Sequence, residues 1–285
     1  MPLKMFQKLE KTPPPSIQQI VAIAAGKGGV GKSSTTAQLA FALKRAGYSV
    51  GVLDADIYGP SIRKMMPEDQ MPIQDKDKIK PAVCQGIKII SIAYFREEKE
   101  AVAVRAPIAT KVIGQFLNQI DWGYLDYLLI DFPPGTGDIQ LTLCQQASIS
   151  SALIVTTPQE VALLDVRKAI HLFENVHVPI LGIVENMSYY QQNTNSEKIY
   201  LFGKDGGIKL AKEVGAPFLG MIPIDPEISS AGDKGVSLYL DANCLSPAAL
   251  AFDEMAKNFV AHTSALRRFS KKALTSFNLT WKEMP

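Results

Sequence analysis

Short apolar runs alternate with stretches of helical periodicity along most of the chain. Residues 20–25, 48–54, 87–92, 124–131, 152–157, 180–186 and 218–224 are apolar and largely β-branched or aliphatic, which suits strands buried on both faces of a parallel sheet. Between them, residues 33–46, 107–120, 139–147, 161–176, 206–214 and 247–260 place apolar side chains at steps of three and four, the spacing of a helix with one buried face. Strand–helix alternation implies right-handed crossovers and helices on both sides of the sheet. The predicted fold is therefore α/β, a doubly wound and mostly parallel sheet. The pattern starts near residue 19 and weakens after 262. This divides the chain into a polar, proline-ended leader (1–18), one domain (19–262) and a basic amphipathic tail (263–285). Residues 64–83, rich in Met, Pro, Asp and Lys, read as an exposed insertion.

The first strand and helix are joined by Gly26-Lys27-Gly28-Gly29-Val30-Gly31-Lys32-Ser33-Ser34. Glycines between a strand and a helix let backbone N–H groups approach phosphate oxygens, and the helix N-terminus adds partial positive charge. In such a loop Lys32 reaches the β- and γ-phosphates and the Ser33 hydroxyl ligates magnesium. Lys27 is an extra cation beside this anion nest. It suits charge stabilisation, with a solvated loop lysine as the alternative.

Two further strands end in carboxylates. Asp54-Ala55-Asp56 closes the second strand, on the ligand edge of a parallel sheet, where a pair of aspartates serves magnesium or water positioning. Asp131 closes the run 124–131 and is placed to hold the magnesium shell. The following Phe132-Pro133-Pro134-Gly135-Thr136-Gly137-Asp138 is a loop able to respond to a γ-phosphate. Asp138 is expected to cap the next helix.

Composition narrows the function. The 285 residues carry 30 Lys and Arg against 28 Asp and Glu, so overall charge gives no reason to expect a nucleic-acid partner. No apolar stretch approaches the roughly 18 residues of a membrane span, and the first residues lack a secretory apolar core. A cytoplasmic setting is expected. Cys84, Cys144 and Cys244 are scattered and form no Cys-x-x-Cys pair, so neither a disulfide framework nor a local metal clip is indicated.

The phosphate loop, the stretch Asp54-Ala55-Asp56-Ile57-Tyr58-Gly59-Pro60-Ser61 and the stretch 131–138 together resemble the deviant-Walker-A ATPases, and among them the Mrp/ApbC group of iron–sulfur cluster carriers. Glu185-Asn186-Met187-Ser188-Tyr189 and Ile222-Pro223-Ile224-Asp225-Pro226 match the same group. The likeness covers roughly residues 19 to 260. It implies a homodimeric, magnesium-dependent ATPase that binds clusters and hands them to apoprotein or scaffold clients. By the same resemblance Lys27 contacts nucleotide across the dimer, Asp56 orients the attacking water, and Asp54 and Asp131 support magnesium. Asn186 reads adenine, and the loop from Pro223 through Asp225 to Pro226 flanks the base. ATP and Mg2+ are the implied cofactors, with an iron–sulfur cluster as cargo. The group places a Cys-x-x-Cys pair shortly after the Asn-Met-Ser-Tyr stretch; here Gln192 and Asn195 stand at those positions, and neutral amides do not replace thiolates as cluster ligands.

The loop alone fits MinD- and ParA-type ATPases equally, so a partitioning or positioning switch is the alternative function. The tail bears on this choice. Leu266, Phe269, Ala273, Phe277 and Trp281 recur at helical steps among Arg267, Arg268, Lys271 and Lys272. Docking of that apolar stripe on the domain is the favoured reading; contact with an anionic membrane surface is the lesser one.

Overall fold

The structure is a computed structural model that describes residues 16–75, 78–95, 114, 116, 119–135, 137–192, 196–239 and 246–275. Ten strands occur among these residues: β1 Ile17–Ala24, β2 Val50–Asp54, β3 Ile73–Asp75, β4 Lys78–Lys80, β5 Ala82–Cys84, β6 Ile87–Ser91, β7 Leu125–Asp131, β8 Ser151–Thr156, β9 Ile180–Glu185 and β10 Phe218–Met221. Seven α-helices lie among the described residues: α1 Lys32–Arg45, α2 Ile62–Met65, α3 Asp138–Gln146, α4 Glu160–Asn175, α5 Gly206–Glu213, α6 Pro226–Lys234 and α7 Pro247–Thr275.

Eight strands form one sheet in the order β10-β9-β8-β1-β7-β2-β6-β5. Every pairing is parallel except that of β5 with β6. The strands alternate sides as their period of two requires. On β1, Ile20, Ala22 and Ala24 enter one core, together with Leu128 and Ile130 of β7. Val21 and Ile23, with Ala25 just past the strand, enter the other, together with Tyr127 and Leu129. Helices α3, α4 and α5 cover the first face through Leu143, Leu163, Val166, Ile170, Phe173 and Leu210. Helices α1 and α7 cover the second through Leu39, Leu43, Phe252, Met255 and Phe259. The sheet is thus wound on both sides. Its strand order reverses around β1 and β7, and ligands bind at the carboxyl ends beside such a reversal.

Three expected elements come out differently. The insertion 64–83 contains an antiparallel hairpin, β3 with β4, and the edge strand β5. Strands of three residues are too short to show a period. Gly137, not Asp138, takes the N-cap position of α3. The last helix does not stop near 260 but continues unbroken to Thr275. Thr263 is buried on it and Leu266 packs against the second core, so its apolar face rests on the domain past residue 262. The leader to residue 15, most of the helix expected over 107–120, and residues 276–285 with Phe277 and Trp281 lie outside the described residues.

Candidate nucleotide site

The site is built on three neighbouring strand ends. β1 runs into the loop 25–31, which feeds α1. Two glycines in that loop are required by contact. A Cβ on Gly26 would sit 2.2 Å from the main-chain carbon of Asp165, so only glycine lets the loop lie against α4. Gly31 has φ of 80°, and a Cβ there would meet Asn186 Nδ2 at 2.2 Å. Gly28 and Gly29 are exposed, leaving the loop's outer side open to a ligand. Ser34 is half-buried in the first turn of α1.

Sheet register supplies the carboxylates. Asp54 of β2 lies directly beside Asp131 of β7 and, on its other side, beside Ser91 of β6. Both aspartates are fully buried. Around Asp131 the donors converge: Lys32 Nζ lies 2.8 Å from Oδ2, Ser33 Oγ donates to Oδ2 at 2.7 Å, and Thr36 Oγ1 donates to Oδ1 at 2.8 Å. The main chain fixes the strand end, since Phe132 N–H donates to the Ile23 carbonyl and Ala55 N–H to the Asp131 carbonyl, both at 3.0 Å.

Asp54 has only neutral donors. Its Oδ2 accepts from Ser91 Oγ at 3.0 Å and from Ile62 N–H at 3.3 Å, and its Oδ1 from Asp56 N–H at 3.1 Å. Burial, reinforced by the charge of Asp131, pushes its carboxyl up to about 7; the Ser91 hydrogen bond and Lys32 oppose that only in part. Lys32 balances one of the two buried carboxylates, and a divalent cation would balance the second in place of the proton on Asp54. The donor set of Ser33, Asp54 and Asp131 is all hard oxygen, which suits Mg2+.

The remaining expected site residues surround this centre. Asp56 is half-buried, and its Oδ1 accepts from Gly59 N–H at 3.2 Å, which orders the turn after β2. Lys27 is half-buried at the loop's rim and has no ion-pair partner among the described residues. Asn186 lies at the end of β9, where Nδ2 donates to the Val30 carbonyl at 2.8 Å. This ties the strand end to the phosphate loop and leaves Oδ1 for another donor. Pro223 is buried, while Asp225 accepts from Glu227 N–H at 2.9 Å and caps α6.

Several side chains that shape the site carried no sequence signal of their own. Thr36 and Ser91 orient the two aspartates. Gln140 donates through Nε2 to the Pro133 carbonyl at 2.7 Å and so pins the segment that follows Asp131. Glu185, fully buried, accepts from Ser188 Oγ and from Gly207 N–H, joining the two ends of the segment 188–207. A cleft of about 610 Å³, lined by Arg45, Tyr48, Asp253 and Val260 among others, lies at the far end of α1. The 14 residues of α1 put that cleft some 20 Å from the phosphate loop, so it is not part of this site.

Among the described residues no cluster ligands are assembled. Gln192 is exposed and Asn195 lies outside the described residues. Among the described residues no group of three or more His, Cys, Asp or Glu side chains is placed to hold a metal ion. Cys84 is buried and Cys144 half-buried, and burial pushes each thiol up to about 12, away from the thiolate that a cluster needs. Cys244 lies outside the described residues. Nor is any described helix long and apolar enough to cross a membrane.

Comparison with known proteins agrees with this geometry. Residues 16–260 match the ParA family, described as NUBPL iron-transfer P-loop NTPase. An iron–sulfur cluster carrier protein of Aquifex aeolicus (strain VF5) is 42% identical over 246 residues, covering 85% of this chain and 67% of that one. A solved structure of a nucleotide-binding protein from Archaeoglobus fulgidus in complex with ADP is 40% identical. It superposes with a TM-score of 0.69 over 77% of this chain and 87% of its own. The cell division ATPase MinD of Pyrococcus furiosus reaches a TM-score of 0.62 over 86% of this chain and 99% of its own, at 23% identity, a likeness of fold alone. The phosphate loop, the paired carboxylates and the match across the whole domain agree: the chain belongs to the ParA family of NUBPL iron-transfer P-loop NTPases.

Proposed function

We propose that this chain is a magnesium-dependent ATPase that works as a homodimer in iron–sulfur cluster delivery. In this reading a client or scaffold protein supplies the cluster's thiolates in place of positions 192 and 195. The observation that carries the ATPase reading is the convergence of Lys32, Ser33 and Thr36 on Asp131 beneath a glycine loop.

The loop's N–H groups and Lys32 bind the phosphates, with Lys32 turning from Asp131 to the β- and γ-oxygens. Ser33, Asp131 and Asp54 would hold Mg2+, which when bound neutralises charge on those oxygens and fixes the leaving group. Asp56 orients a water whose oxygen attacks the γ-phosphorus. The bond from that phosphorus to the bridging oxygen breaks, ADP leaves with the electron pair, and the water's proton ends on phosphate or solvent. Lys27, at the rim and without an internal ion-pair partner among the described residues, serves the phosphates of a second copy. Asn186 accepts from the adenine amino group through Oδ1 while its amide holds Val30. The loop that begins at Pro223 flanks the base.

The test is phosphate release from ATP in Mg2+ and in EDTA, with the oligomeric state measured in ADP and in a non-hydrolysable ATP analogue. Mg2+-dependent release and a dimer favoured by the triphosphate are expected. Release that ignores Mg2+, or a monomer in both nucleotides, would overturn the proposal.

A further inference from the structure

Thr36 lies one helical turn beyond Lys32 and is fully buried. Its Oγ1 is 2.8 Å from Asp131 Oδ1 and 3.0 Å from the Lys32 carbonyl oxygen. A threonine in a helix commonly satisfies its hydroxyl on the carbonyl four residues back, and nothing more is required of it. Here a second acceptor is present, it is the closer one, and it is charged. The hydroxyl has a single hydrogen, and a charge-assisted bond to a carboxylate is the stronger of the two choices.

The division of labour around Asp131 gives this contact its meaning. Oδ2 meets Lys32 and Ser33, and both have other work once nucleotide is bound: the ammonium on phosphate, the hydroxyl on the metal. Oδ1 meets Thr36, which is sealed in α1 beneath the loop and has no route to the nucleotide. We propose that Thr36 is a positioning residue for the ATPase reaction: its hydroxyl holds the Asp131 carboxylate in a fixed orientation when Lys32 and Ser33 leave it, so that the magnesium shell is aimed before the metal arrives. The inference rests on the magnesium reading given above. Outer partners of metal-ligating carboxylates are commonly worth 10- to 100-fold in metal affinity.

The experiment is a titration of fluorescent ADP analogue into the full chain, in EDTA and across a Mg2+ series, for wild type, Thr36→Val and Thr36→Ser. Thr36→Val keeps the shape and removes the donor; Thr36→Ser keeps the donor. The expected result is that Thr36→Val binds the nucleotide normally in EDTA but needs about 10- to 100-fold more Mg2+ to tighten it, and that Thr36→Ser restores the wild-type Mg2+ dependence. Unchanged Mg2+ dependence in Thr36→Val would overturn the role, as would an equal loss in Mg2+ and EDTA or a failure of Thr36→Ser to rescue. If the valine variant does not fold, Thr36→Ala removes the same donor without added bulk and is read by the same criteria. Absence of Mg2+ tightening in the wild type would instead remove the magnesium reading, and the Thr36 role with it.

Discussion

The loop after β1 and the segment after β9 lie at the same edge of the sheet and are joined by Asn186, yet they are built differently. The loop is held along its length. Gly26 lies against α4, Asn186 holds Val30, and the residues that follow converge on a buried carboxylate. The segment after β9 is held at its ends. Glu185 binds Ser188 and Gly207, the Ser188 N–H donates to the Ile222 carbonyl at 3.0 Å, and Tyr190 and Ile199 bridge its two arms. Between those anchors it presents exposed Gln192, Ile199 and Leu201. The phosphate loop, its lysine and the buried carboxylates are thus brought together within this chain, while positions 192 and 195, where the family resemblance implies cysteines, are filled by amides. On the proposed function, nucleotide turnover and cargo ligation are separate features of one fold.

Substitutions on the two sides sharpen that comparison. Lys32→Ala removes the cation from Asp131 and from the phosphates together, and nucleotide binding is expected to fall below detection in isothermal titration. Lys27→Ala is expected to lower turnover by about 100-fold while ADP affinity stays close to wild type, because the lysine acts on charge that develops in the transition state. Wild-type turnover in this variant would place Lys27 outside the reaction. Asn186→Ala removes the link between the two regions. Losing the hydrogen bond to the Val30 carbonyl together with the proposed adenine contact through Oδ1 is expected to weaken ADP binding by about 10-fold, read by the same titration. Unchanged affinity would show that the two regions act independently.

The smallest effect is a pH dependence. Asp54, with its carboxyl raised to about 7, binds a proton in the folded chain that the unfolded chain, with a carboxyl near 3.8, has already released. Between those values the folded state holds more protons, so this group's contribution to stability declines as pH rises and levels off above about 7. Asp54→Asn does not titrate. Without nucleotide or Mg2+, its melting temperature relative to wild type is therefore expected to climb by a few degrees from pH 5 to pH 8. A difference that stays flat across that range would mean Asp54 is charged throughout.

Much of this was legible in the sequence because the signals were local. Glycine spacing, Lys32 and Ser33, and apolar runs ending in Asp54 and Asp131 each occupy one contiguous stretch. What the sequence could not show was pairing between stretches. Ser91 meets Asp54 only because β6 and β2 align in that register, and Thr36 reaches Asp131 across 95 residues of chain. Asn186 also bonds to a carbonyl 156 residues away, a contact no spacing encodes. The hairpin in 64–83 leaves no pattern in the sequence because three-residue strands have no readable period. The helical stretch 247–260 and the apolar stripe that begins at Leu266 are parts of one helix, joined through buried Thr263, a polar residue that no apolar pattern marks.

The most direct test of the separation between turnover and ligation is anaerobic reconstitution of the full chain with iron and sulfide, followed by desalting and metal and sulfide analysis. The native chain is expected to retain background iron only, and the double variant Gln192→Cys, Asn195→Cys to gain a cluster with its visible absorption. A stoichiometric cluster on the native chain would contradict the proposal that its cargo is held by thiolates from elsewhere.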